Sequence, residues 1–512
     1  MLNWIKGSKS GYPLADEKAA RESMAELPPL DPYKALEELC YWLETLGSAD
    51  DVKLTRALEI IELIEQTANK HHRKLSQDYL GSSARLQKSQ EIRVWNSVFL
   101  YSKRLADAYQ MCLARVEAGS NGSGAIKAQI PVVVARALRA LAVQLKWELL
   151  RYGPIEQRIW EQIGKLAAYA EEKAFASTSI FVYPGKPGES TVQRECLKGL
   201  MLAISSTDSL LPAKVEIAER VIAQFAEFFV MNRQPAPGCH FFFDYSGTTK
   251  PARLVSRMPM TPGLRYFGPG SAAQKLEVLT QSVQLDGIFP SNINLGDGVD
   301  VEIALDVLRH LARYWAPTPP VRAENRRNTV WHIDVVHEFD DIVTMISGES
   351  KDLSFDAKTE VWTIENESEG GYGALLPQAK GDWLRLGSLL GVRLEDHAAW
   401  SIGIVRRLSA YDHKQRYVGI QLLTKGATVV KLAAAKTADS AELENALLLP
   451  SNAQETNGAA EMNLLLKAGV FSAQKSMQMH AYGRRYLLMP RKLLEEGYDY
   501  DMARFQVMQS AA

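Results

Sequence analysis

Two short stretches hold the residue types best suited to gripping a small anionic ligand. "VRAENRR" (321–327) places Arg322, Arg326 and Arg327 just before a run rich in Val, Ile and Trp, and "NESEGG" (366–371) follows a second such run. Arg322 and Arg326 form R-x-x-x-R, with Arg327 a third candidate one residue on. A guanidinium offers paired N–H donors to phosphate oxygens and can lie flat on an aromatic base, which an ammonium cannot do as well. Asn366, Ser368 and Gly371 form N-x-S-x-x-G, supplying an amide that both donates and accepts, a short hydroxyl and a residue tolerant of positive φ. The site expected from these residues is Arg322, Arg326, Arg327, Asn366, Ser368 and Gly371.

Other constellations carry less. "HIDVVHEFDD" (332–341) contains His332, Asp334, His337, Asp340 and Asp341, but on a strand 332 and 334 share a face while 337 points away. A polar strand end is expected there, and no metal site. "GKPGEST" (185–191) lacks the G-x-x-x-x-G-K-[ST] phosphate loop and reads as a surface loop. "DYSGTT" (244–249) has Thr where a second N-x-S-x-x-G-like turn would want glycine. "NKHHRK" (69–74) suits the basic last turn of a helix. No nucleophile–base pair or carboxylate pair emerges, so the expectation is a binding protein and not an enzyme.

The elements that must position these residues fall into contrasting stretches. Residues 1–30, with Pro13, Pro28 and Pro29, are expected to form a loosely ordered arm. From 31 to 233 apolar residues recur at spacings of three and four, as in Leu54, Leu58, Ile61, Ile64 and Ala68. That predicts an α-helical array or bundle. Residues 237–315 mix strand-like runs with helices, ending in a helix near 300–315. "APTPP" (316–320) cannot continue it, so 316–327 reads as a proline- and arginine-rich hinge. Between 328 and 430 short runs such as "TEVWTIEN", "AWSIGIVRRL" and "YVGIQLLT" predict a small antiparallel barrel. Residues 435–460 read as a flexible loop. The stretch 461–508 reads as further strands that either extend the barrel or form a second β unit.

Composition limits the class. Of 512 residues, 46% are hydrophobic and 23% charged, ordinary for a globular multidomain α+β chain. A formal net charge of −1 leaves no global field to hold nucleic acid or an anionic membrane, so any anion site is local. The four cysteines are scattered without a CxxC pair, and the first residues lack the apolar core of a secretory signal. The longest apolar stretch, 130–145, carries Arg136 and Arg139. A cytoplasmic protein without membrane insertion is expected.

The pairing of R-x-x-x-R with N-x-S-x-x-G, flanking the first strands of a barrel, resembles the PilZ domain family. "WSIGIVRRL" (400–408) and "RYVGIQLL" (416–423) are similar to that family's later strands. The resemblance covers about 320–430 and implies a β-barrel that binds cyclic di-GMP, with outputs such as motility, pili or exopolysaccharide control. The ligand carries two phosphodiesters and two guanines, whose O6/N7 edge suits a guanidinium. The expected reading is a cyclic di-GMP receptor, without a cofactor, whose helical module contacts an unknown protein partner. The alternative is a degenerate PilZ-fold adaptor that binds no nucleotide.

Overall fold

The computed structural model describes residues 12–82, 87–185, 188–255, 261–296, 298–318, 320, 326–348, 359–377, 383–395, 397, 399–410, 414–434, 443–450, 461–481 and 484–509. The chain divides into two compact units, 1–321 and 322–512.

The first unit is chiefly helical: α1 (Glu17–Glu26), α2 (Pro32–Leu46), α3 (Leu54–Ser82), α4 (Lys88–Glu117), α5 (Ser123–Ile126), α6 (Ile130–Leu150), α7 (Gln157–Glu172), α8 (Val192–Ile204) and α9 (Pro212–Phe225). Side-chain caps start several of these helices. Asp16 accepts from the Ala19 N–H, Asp31 from Lys34 and Thr191 from Arg194, each satisfying a donor the helix leaves unpaired. The expected arm is corrected from residue 12 onward, because Tyr12 and Leu14 are buried and α1 follows directly. Tyr12 donates to the Trp42 carbonyl at 2.8 Å, which ties this segment to α2.

The mixed segment is not a separate body. Strands β1 (Val230–Asn232), β2 (Phe241–Asp244), β3 (Ala252–Arg253) and β4 (Leu264–Gly268) form a sheet in the order β1-β4-β2-β3. With α10 (Ala272–Asp286) and α11 (Val301–Trp315), they contribute Phe241, Phe267, Leu276, Leu308 and Trp315 to the same core as the helices. The α11 helix ends where Arg253 donates to the carbonyls of Tyr314, Ala316 and Pro317 at 2.7, 2.9 and 3.0 Å. One guanidinium thus serves three carbonyls at the start of the proline segment, where a helix runs out of its own N–H donors.

Two buried glutamates in this unit titrate in opposite directions. Burial would push the Glu195 carboxyl up, but Lys198 and Arg139 beside it hold it down. Burial pushes the Glu148 carboxyl up to about 8, against the opposing hydrogen bond from the Glu156 N–H. A raised acid contributes stability below its ordinary value near 4.5 and loses it as pH rises through about 8. Glu148→Gln is therefore expected to be neutral at pH 5 and stabilising by on the order of 2–3 kcal/mol at pH 9. Equilibrium denaturation at both pH values checks this; equal midpoints at pH 9 would contradict it.

The second unit holds two closed antiparallel barrels. The first comprises β5 (Arg327–Val336), β6 (Glu360–Ser368), β7 (Gly371–Pro377), β8 (Leu389–Leu394), β9 (Ser401–Ala410) and β10 (Gln415–Thr424), ordered β10-β7-β6-β5-β8-β9. The second comprises β11 (Thr428–Ala434), β12 (Glu444–Leu449), β13 (Glu461–Lys467), β14 (Met477–Ala481), β15 (Arg484–Glu496) and β16 (Tyr500–Gln509), ordered β11-β12-β13-β16-β15-β14. Closure removes exposed sheet edges from both.

This second barrel resolves the alternative for 461–508 and moves two boundaries. Residues 428–430 pair into the second barrel and not the first. Residues 444–449, expected within a flexible loop, form β12, while 435–442 and 451–460 lie outside the described residues. Helix α12 (Phe339–Ser347) joins the barrels: Phe339 and Ile342 pack with Leu389, Ile402 and Ile404 of the first and Leu447, Leu465 and Tyr500 of the second. Arg406 donates to Glu495 at 2.7 Å across the same junction, and Tyr500 donates to Glu495 at 2.7 Å.

Candidate functional site

The start of β5 lies beside the β6–β7 hairpin. Arg327 is opposite Glu367, Asn328 opposite Asn366, and Ser368 opposite Gly371 across the turn. Arg326 and Asn366, 40 residues apart in sequence, meet at 2.7 Å, with the guanidinium Nη1 donating to Oδ1. The same Nη1 donates to the Tyr417 hydroxyl at 2.9 Å, and Asn366 Nδ2 donates to that hydroxyl at 3.3 Å. Because arginine has no acceptor, this arrangement also fixes which way the Asn366 amide faces.

A β-bulge makes the cluster possible. Trp362 and Ile364 are buried, and strict alternation would turn Asn366 to their face. Ile364 is opposite Ala374 and Asn366 opposite Gly373, so one extra residue on β6 switches the parity. A side chain on Gly373 would sit 2.6 Å from Asn366 Oδ1 and overlap the Tyr417 hydroxyl. Glycine at 373 is thus the floor of the cluster.

Gly371 acts differently from expectation. Its φ is not positive. A Cβ there would instead collide with the Ile420 carbonyl of the neighbouring strand, so glycine is needed for close backbone approach. The Ser368 hydroxyl donates weakly to the Gly371 carbonyl, at 3.4 Å.

Arg327 and Ser368 line a separate space, a cavity of about 650 Å³. Val392, Leu394, Leu422 and Tyr372 supply apolar wall, while Glu367, Glu369, His397 and Lys425 add charged or polar groups. Burial, then the charge of Glu367, pushes the Tyr372 hydroxyl above its ordinary value, so it stays a neutral donor. The expected residues therefore divide in two: Arg326 and Asn366 on the Tyr417 cluster, Arg327 and Ser368 on the cavity. Arg322 lies outside the described residues.

Sequence reasoning missed Tyr417, Gly373, His397 and Lys425. Tyr417 stood within the quoted strand "RYVGIQLL", but nothing local tied it to Asn366. Within "HIDVVHEFDD", Asp334 accepts from Arg393 at 2.7 Å, and His337 stacks on Trp383 with ring centroids 3.9 Å apart.

Comparison with family models gives two matches. Residues 18–235 match the model described as "Cyclic-di-GMP receptor FimW, N-terminal domain". Residues 338–428 match the one described as "Cyclic-di-GMP receptor FimW, middle PilZ domain". The second match includes Asn366, Ser368, Gly371 and Tyr417 and starts after Arg326 and Arg327. No curated protein matches the chain.

Proposed function

We propose, on the premise that this chain carries a PilZ domain of the FimW receptor type over 338–428, that it is a receptor for cyclic di-GMP. The observation that carries the reading is the Arg326–Asn366–Tyr417 cluster, seated on the PilZ motif. Arg326 uses only Nη1 in that cluster, leaving its other donors available among the described residues. They can reach a phosphate or a guanine edge, while Arg327 and Ser368 offer further donors at the cavity. Two or three charge-assisted bonds of about 1.5–3 kcal/mol each, with base stacking, approach the roughly 8 kcal/mol of micromolar binding. Ordering costs oppose them, so the constellation must act together.

The ligand's grip also suggests the output. Arg326 immediately precedes β5, and Arg322 belongs to the segment that links the two units. A ligand holding both arginines against the barrel would fix that segment and so bias the orientation of the helical unit, which contacts the protein partner. The bias needs differential affinity of a few kcal/mol between the two arrangements. No described helix is long and apolar enough to cross a membrane, and we place the receptor in the cytoplasm with its messenger.

Isothermal titration of cyclic di-GMP into the full chain is expected to give saturable heat, with a rise in melting temperature. No heat and no thermal shift at about 100 μM ligand, far above a micromolar Kd, would leave the alternative, an adaptor on a PilZ frame.

A further inference from the structure

We infer that Tyr417 is a specificity-determining residue that makes the site select guanine over adenine; the inference rests on the receptor reading above. A tyrosine hydroxyl has two acceptor lone pairs and one donor. Here Arg326 Nη1 and Asn366 Nδ2 both donate to it, so both lone pairs are engaged. Its own O–H has no acceptor among the described residues and is free to serve a ligand. Arg326 complements it. Nη1 gives its hydrogens to Asn366 and Tyr417, which orients the guanidinium and leaves the Nε and Nη2 donors uncommitted among the described residues.

The groups Tyr417 and Arg326 offer outward are thus donors only. Guanine presents two acceptors, N7 and O6, on its major-groove edge, whereas adenine presents N7 and an N6 donor. A donor surface fits the first and opposes the second. Tyr417 acts twice: its hydroxyl supplies one donor, and its lone pairs hold Arg326 and Asn366 in the pose that supplies the rest. Gly373 belongs to the device, because any side chain there would overlap the Tyr417 hydroxyl and crowd Asn366.

The experiment is titration of cyclic di-GMP and cyclic di-AMP into the full chain and into Tyr417→Phe. The wild type should prefer the guanine ligand. Tyr417→Phe should weaken that ligand about tenfold or more and leave cyclic di-AMP within about twofold, so the ratio collapses. A purely structural role would lower both affinities together. Gly373→Ala, which disturbs the cluster from below, should collapse the ratio too and provides the answer if Tyr417→Phe fails to fold. A ratio preserved in a folded variant overturns the inference alone. A wild type that binds both ligands equally also overturns it, and one that binds neither overturns the receptor reading with it.

Discussion

Replacing Arg326 by alanine is expected to weaken cyclic di-GMP binding by about a hundredfold or more, as loss of two charge-assisted bonds would do. The barrel should keep its melting temperature. Arg326 is exposed, so its bonds to Asn366 and Tyr417 exchange readily with water and add little stability. Arg326→Lys should recover only part of the loss, since an ammonium cannot address two acceptors while also holding Asn366 and Tyr417. The double change Arg322→Ala/Arg326→Ala should leave no measurable heat. Titration calorimetry and thermal melts on the same preparations separate the two effects. Unchanged affinity in Arg326→Ala would remove this residue from the site.

The second large effect concerns stability. Glu195 has a fully buried side chain that pairs with Lys198 at 2.6 Å and Arg139 at 2.6 Å, and accepts from Ser190 at 2.5 Å. Burial alone would push its carboxyl up, but Lys198 and Arg139 outweigh it and hold the carboxyl down at about 2. Lys198 moves less helpfully: burial pulls its ammonium below the ordinary value despite Glu195 beside it. The pair is therefore not two independent gains, and the lower end of the usual cost of breaking a buried pair applies. Glu195→Gln should destabilise the helical unit by about 3 kcal/mol at pH 7.

The sign with pH follows from the depressed carboxyl. Its contribution is complete above the ordinary value near 4.5 and is lost as pH falls toward about 2. The gap between wild type and Glu195→Gln should therefore narrow steadily below pH 4.5. Urea denaturation of the full chain at pH 7 and pH 4 measures it. Equal midpoints at pH 7 would show that Arg139 and Lys198 find other partners.

Much of the architecture was legible because its signals are local. The helix expected near 300–315 is α11, which buries Leu305, Leu308, Leu311 and Trp315 on one face, and the proline run after it marks its end. The N-x-S-x-x-G residues of "NESEGG" lie at the turn between β6 and β7, but glycine at 371 answers to a distant constraint and not to positive φ: the Ile420 carbonyl belongs to a strand some fifty residues away. The prolines of the first 30 residues suggested disorder, yet burial of Tyr12 and Leu14 against later helices overrides that local signal.

By itself, the sequence determined which residue types were available, where the runs of the first barrel lie, and that arginines and an Asn-x-Ser turn would flank the first barrel strands. These follow from periodicity and turn chemistry, which act over a few residues. The tertiary structure alone decided which of them share a face. One extra residue between Ile364 and Asn366 turns Asn366 outward, and closure of β10 against β7 brings Tyr417 onto it. The same long-range pairing closed the last six strands into a barrel of their own. Sheet parity and strand partners depend on contacts between distant segments, so no short stretch of sequence can carry them.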